Sequence, residues 1–160
     1  MITGKRNKKE KGLLNNKMFA LKLILGHLIG DYILQTDYMA LNKVRPDLKG
    51  YWSCFLHCLI YSICVACLIG SGHAYMGQVP WIVLMVFVAH FPIDKFSFGK
   101  LWLKYILKKN HPSTLTETPN TIINNSIRLF YYNFVYVVVD NTFHLIFMVA
   151  GVWFFFPELL

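Results

Sequence analysis

The sequence predicts an all-α integral membrane helical bundle, with three to four membrane helices plus a basic amphipathic interfacial helix. Three observations carry that prediction. The composition is 56% hydrophobic and only 15% charged, unlike an ordinary soluble domain. The charged residues avoid the long apolar runs, as in helical membrane proteins. Within those runs His and Asp recur four residues apart, a helical spacing that puts both side chains on one face.

At 160 residues the chain is read as one domain preceded by a tail. Residues 1–17 carry Lys5, Arg6, Lys8, Lys9, Lys11 and Lys17 against a single acid, Glu10, and read as a basic cytoplasmic tail. No secretory leader is expected, because no small-residue cleavage site follows the first apolar run. Residues 18–160 form a single membrane domain. The net charge is +8, but the basic residues gather in the tail and two loops. Membrane lipids, with anionic headgroups at the basic segments, are therefore the expected partner, and nucleic acid is not. The four cysteines, Cys54, Cys58, Cys64 and Cys67, share one apolar segment, so free thiols are expected rather than a disulfide framework.

The first helix is expected over residues 18–41. Lys22 lies near its start, and His27, Asp31 and Gln35 interrupt the rest at four-residue steps. A second helix over residues 51–70 opens on Tyr51 and Trp52 and encloses His57. A third, over residues 79–95, has Pro80 in its first turn and His90 and Asp94 at its end. Pro92 lies between those two and is expected to kink the helix and disturb their stacking. Over residues 96–109, Lys100, Lys104 and Lys108 alternate with Leu and Trp, as in a helix lying in the interface plane. After a Ser/Thr/Pro-rich loop, Thr118-Pro119 opens a last helix over residues 119–156. Ile123, Ile127, Phe130 and Phe134 share its early apolar face, and Asp140 and His144 lie deeper. Four full spans would divide the sixteen Lys and Arg residues almost evenly between the two sides. A first helix that dips into the bilayer and returns puts all of them on one side, satisfying the positive-inside rule. That topology is the expectation, and it gathers the polar groups in the inner leaflet.

Ionisable groups at membrane depth are costly and mark functional sites by default. Neutral His and ionised Asp suit a divalent metal, with zinc first and manganese or iron as alternatives. The expected ligand set is His27, Asp31, His57, His90, Asp94, Asp140 and His144. Asp31 and Asp140 are the candidate catalytic bases. If the first helix joins that site with its polar face inward, Phe19, Leu23 and Ile33 should form its lipid side. Gln35 could orient a ligand or cap the helix, Cys54 and Cys64 share a face with His57, and His73 and His111 are expected in solvent. The bland alternative is that the polar pairs only hydrogen-bond between helices.

His27-x3-Asp31-Tyr-x-Leu-Gln35, followed by Asp37-Tyr-Met and Lys43, resembles the opening signature of a family of small bacterial and phage membrane proteins. The family is catalogued as domain of unknown function 3307. Leu56-His57, the block from His90 to Asp94, and Asp140 with His144 resemble its later elements, in order, over residues 20–150. Two positions depart from the pattern. The lysine usual three residues after the block's Asp is missing, and Asn141 stands where Gln is usual. The resemblance implies a bacterial inner-membrane location with tail and loops cytoplasmic. The His/Asp pattern is more loosely similar to membrane-bound metal-dependent hydrolases. That likeness implies an intramembrane hydrolase acting on a lipid or lipid-linked ester or phosphoester at the inner leaflet. The alternatives are a non-enzymatic ion or proton pathway, or a phage or bacterial accessory protein with structural His/Asp pairs.

Overall fold

The computed structural model describes residues 15, 17–71, 77–109, 111 and 122–155, with side chains of the last helix described from Ser126 onward. All regular structure among the described residues is helical. Helix α1 covers residues 17–28 and continues into a π-helical turn, Ile29–Ile33. Helix α2 is Asp37–Asn42, α3 Leu48–Ile69, α4 Val79–Lys95, α5 Phe98–Tyr105 and α6 Ile122–Phe155. Helices α3 and α6 are long and apolar enough to cross a membrane, and α4 with α5, bent by 46°, makes a third if the pair is one span.

Local chemistry explains the boundaries. Thr36 caps α2 by accepting from the Met39 amide at 3.3 Å, so Asp37 begins a helix rather than lying in a loop. Asp47 caps α3 in the same way, accepting from the Gly50 amide at 3.0 Å. Gly50 is required there, since a Cβ would collide with the Arg45 carbonyl. Pro80 starts α4, where its missing N–H costs nothing. The chain leaves α4 through Ser97 in the left-handed region (φ 48°, ψ 59°), which sets the bend into α5. Helix α5 is shorter than the expected 96–109 segment. It buries Gly99 and Leu103 and leaves Lys100 and Lys104 exposed.

The bundle divides along its length. One half is an apolar core in which Phe19 and Leu23 of α1 meet Val65, Ile82, Val86 and Met148 of the other helices. The other half holds His27, His57, His90, Asp94 and His144, all buried. Because the helices alternate in direction, these polar residues form one layer.

Helix α1 corrects two expectations. The helix expected over residues 18–41 stops at Ile33, so Gln35 lies beyond it and is not a third rung above His27 and Asp31. Phe19 and Leu23, expected on the lipid side, are buried at 7% and 2% exposure, whereas Ile33 is exposed. They share the stripe that leads to His27, so one face of α1 supplies both apolar core and polar layer. Helix α1 and the segment after it run the length of the bundle. Lys22 donates to Ser71 at 2.8 Å at one end of the bundle, and Lys43 reaches Asp94 at the other. Two glycines allow this course: a Cβ on Gly26 would lie 3.1 Å from the Val65 Cα, and one on Gly30 would lie 2.5 Å from the Tyr61 ring. The α1 backbone therefore packs along α3, with Lys22 toward one end of the bundle and Lys43 toward the other. The tail, the Thr118-Pro119 start, Ile123 and His73 lie outside the described residues or side chains.

Candidate functional site

The site is built from four helices and one loop. The π-turn of α1 inserts an extra residue just where Asp31 leaves the helix, a device frequent at functional sites. His27 and Asp31 still approach to 3.4 Å. Helix α3 contributes His57, whose Nε2 lies 3.3 Å from Asp31 Oδ1 and 2.9 Å from Asp94 Oδ2. Helix α4 contributes His90, with Nε2 3.1 Å from both His57 Nε2 and Asp94 Oδ2. Pro92 therefore does not part His90 from Asp94, contrary to the expected disturbance. Helix α6 contributes His144, whose Nε2 is 3.5 Å from Asp94 Oδ1, and Asp140, 3.8 Å from His144 Nδ1.

Among the described residues, three groupings of potential ligand atoms result, each with its atoms within 4.8 Å of one another: Asp31, His57 and His90; Cys58, His90 and Asp94; and Asp94, Asp140 and His144. Asp31 Oδ1, Asp94 Oδ2, Asp140 Oδ1 and His144 Nε2 are buried and make no hydrogen bond. Asp94 Oδ2 is close enough to two imidazoles for one, but their N–H directions miss it. Donor atoms that crowd together without hydrogen-bond alignment fit a metal better than a polar network, because buried polar atoms otherwise find partners. His144 is held in the suitable tautomer: Nδ1 donates to the Asp140 carbonyl at 2.8 Å, which leaves the Nε2 lone pair inward.

His27 stands apart from the ligand set. Asn141 directs its amide nitrogen to the Val137 carbonyl, so its oxygen accepts from His27 Nε2 at 2.6 Å. His27 Nδ1 then accepts from the Tyr61 hydroxyl at 2.9 Å. Both ring nitrogens are engaged, and His27 acts as a clamp between α1, α3 and α6. Of the cysteines, all four of which are free, Cys58 rather than Cys54 or Cys64 reaches His90 and Asp94. Cys54 contacts Cys58 at 3.9 Å, and Cys64 contacts the Gly26 carbonyl at 3.9 Å. His111 is exposed, as expected.

Four residues outside the expected set complete the site. Lys43 reaches in from the loop after α2 and donates to Asp94 Oδ1 at 2.8 Å. Burial opposes the charge of its ammonium, but Asp94 and Asp31 outweigh it and raise the pKa above the ordinary lysine value. With its amide oriented so that both atoms have partners, Gln35 donates to the Asp31 carbonyl at 3.3 Å and accepts from Lys43 at 3.0 Å. Its partners are a backbone carbonyl and Lys43, not a carboxylate or imidazole of the expected ligand set. Lys95, buried, donates to the Lys43 and Arg45 carbonyls and stacks its ammonium 3.6 Å over the Tyr51 ring, fixing that loop on α4. Tyr61 stacks on His90 at 3.8 Å between centroids. Asn141 has the partners already described. Tyr61 had a signal, being four residues after His57 on the same helix face; Lys43 stands in the opening family signature, and Lys95 had no signal beyond its charge.

No curated protein and no solved structure matches the chain, so the looser likeness to membrane-bound hydrolases gains no support from them. A family model does match. Described as a protein of unknown function (DUF3307), it covers residues 19–159, and the chain belongs to that family.

Proposed function

We propose that the protein is an intramembrane metal-dependent hydrolase acting on a lipid or lipid-linked ester or phosphoester. The observation that supports this reading best is the set of buried carboxylate and imidazole atoms that converge from four helices without aligned hydrogen bonds. Charge balance points the same way. Asp31, Asp94 and Asp140 bring three negative charges, Lys43 offsets one, and a divalent ion would offset the other two. His57, His90 and His144 with Asp31, Asp94 and Asp140 would hold one ion or two; zinc suits the imidazoles, and manganese or iron the carboxylate-rich mixture. When bound, such an ion supplies Lewis acidity and acidifies a water ligand.

The chain's own residues divide the remaining work. Asp94, at 2% exposure, is shut in by His57, His90 and Lys43 and serves as the shared anchor. Asp31 and Asp140, at 12% and 15%, are the more accessible carboxylates and suit the role of general base. A proton or ion relay is less well supported, because it needs polar groups at successive depths and here they form one layer.

Purified protein dialysed without added metal should retain about one or two ions per chain by elemental analysis, as in known metallohydrolases. Asp31→Asn should keep the fold and lose metal. A folded wild type that binds none of zinc, manganese or iron would end the proposal.

A further inference from the structure

Among the described residues, two apolar grooves open on the flanks of the bundle, and they differ in what lies at their ends. One, of about 410 Å³ between α1 and α3, is lined by Ile29, Ile60, Ile63 and Leu68 among others and includes no residue of the His/Asp layer. The other, of about 790 Å³, lies between α4 and α6, with Trp81, Leu84, Val88, Ala150 and Trp153 in its walls. Its lining is apolar throughout. Ala89 and Phe147 belong both to this groove and to a narrow gap of about 10 Å³ whose other walls include Tyr61, His90 and His144. The gap is at the lower limit for one water, so the groove and the site are separated by little more than the Phe147 ring.

The pairing of helix positions fixes how the groove runs. His90 and Ile93 face His144, and Met85 faces Gly151, where a Cβ would come within 2.5 Å of the Met85 sulfur. The helices are antiparallel, and the groove leads from the polar layer into the apolar half of the bundle. From His90 to Trp81 is nine residues, about 14 Å at 1.5 Å per residue. The groove thus follows the direction a lipid tail takes when its polar end lies at the level of the His/Asp layer.

We infer that the α4/α6 groove holds one hydrocarbon chain of a membrane lipid whose ester or phosphoester end lies against His90 and His144. This rests on the hydrolase reading for the reaction, but the chain site is a separate property and can be tested without turnover. Selectivity for the chain then comes from Val88, Ala89 and Ala150, whose small side chains keep the groove open. Phe147, 41% exposed, is the residue that must shift to admit the polar end.

The test uses the full chain in detergent micelles and a phosphatidylglycerol with a diazirine at the end of one acyl chain. Cross-linked residues are mapped by mass spectrometry, and metal content is measured on the same samples. The expected result is saturable labelling of α4 and α6 at the far end of the groove, around Trp81, Leu84 and Trp153, competed by unlabelled phosphatidylglycerol. Ala150→Trp and Val88→Trp, both at exposed positions, should each raise the half-saturating lipid concentration about tenfold, equivalent to about 1.4 kcal/mol, with metal content unchanged. Labelling that does not saturate and falls equally on Ile60 and Ile63 would mean ordinary surrounding lipid and overturn the inference. Absence of groove labelling in a sample whose mass in the micelle is that of a dimer would overturn it in favour of a second copy. Saturable groove labelling in a protein that binds no metal would sink the hydrolase reading and leave the chain site standing.

Discussion

Two ion pairs begin two residues apart in the chain and have nearly the same length. Lys43 meets Asp94 at 2.8 Å, and Arg45 meets Asp47 at 2.7 Å. Their surroundings are opposite. The first pair is 12% and 2% exposed, the second 51% and 42%. In water the attraction is screened and offset by side-chain entropy, so Arg45–Asp47 mainly tidies the loop before α3. Away from water, each partner of Lys43–Asp94 depends on the other, because an unpaired buried charge is costly. Distance alone does not distinguish a surface contact from part of a site.

The largest expected effect is at Asp94. Asp94→Ala removes the oxygen nearest His57 and His90 and strands Lys43, so it should lower stability by about 3–5 kcal/mol and abolish metal retention. Thermal melts and elemental analysis check both. Lys43→Met should be similarly costly, about 3–5 kcal/mol, in chelator-treated protein and milder in metal-saturated protein, because an ion replaces the missing counter-charge. An equal loss in both conditions would mean that Asp94 is not a ligand. The raised Lys43 pKa sets a pH window. Its contribution is complete below the ordinary lysine value, about 10.4, and is lost only as pH climbs through the higher folded value. Melts between pH 6 and about 10 should therefore show no step from this group.

The exposed side of the comparison should yield little. Arg45→Ala should leave the melting temperature and metal content at wild-type values. Asp37→Ala, at the exposed start of α2, should change stability by no more than about 0.5 kcal/mol and keep the wild-type response to chelator. A chelator response lost in the Asp37 variant but kept in Asp31→Ala would reverse the assignment of α1 to the site.

The same contrast separates what periodicity reveals from what it hides. His90–Asp94 and His144–Asp140 were legible because a helix brings residues four apart together whatever surrounds it. Tyr61 was legible in principle by the same spacing from His57. The contact between Lys43 and Asp94 was not, because the two lie 51 residues apart and nothing local records that approach. The course of α1 along α3 was not legible for a related reason. Charge counting treats Lys22 and Lys43 alike, while Gly26 and Gly30 decide the path by letting two backbones touch.

By itself the sequence determined the helical class, the membrane-like composition, most of the candidate ligands and the family, since each depends on composition or on local order along a helix. Only the tertiary structure decided that the His/Asp pairs form one layer and that His27 is a clamp with both nitrogens engaged. It alone decided that Asp94 answers to Lys43 and that, of the two flank grooves described, the one between α4 and α6 adjoins the site. These depend on which helix faces lie together. Such contacts arise from packing between distant segments, and no short stretch of sequence encodes them.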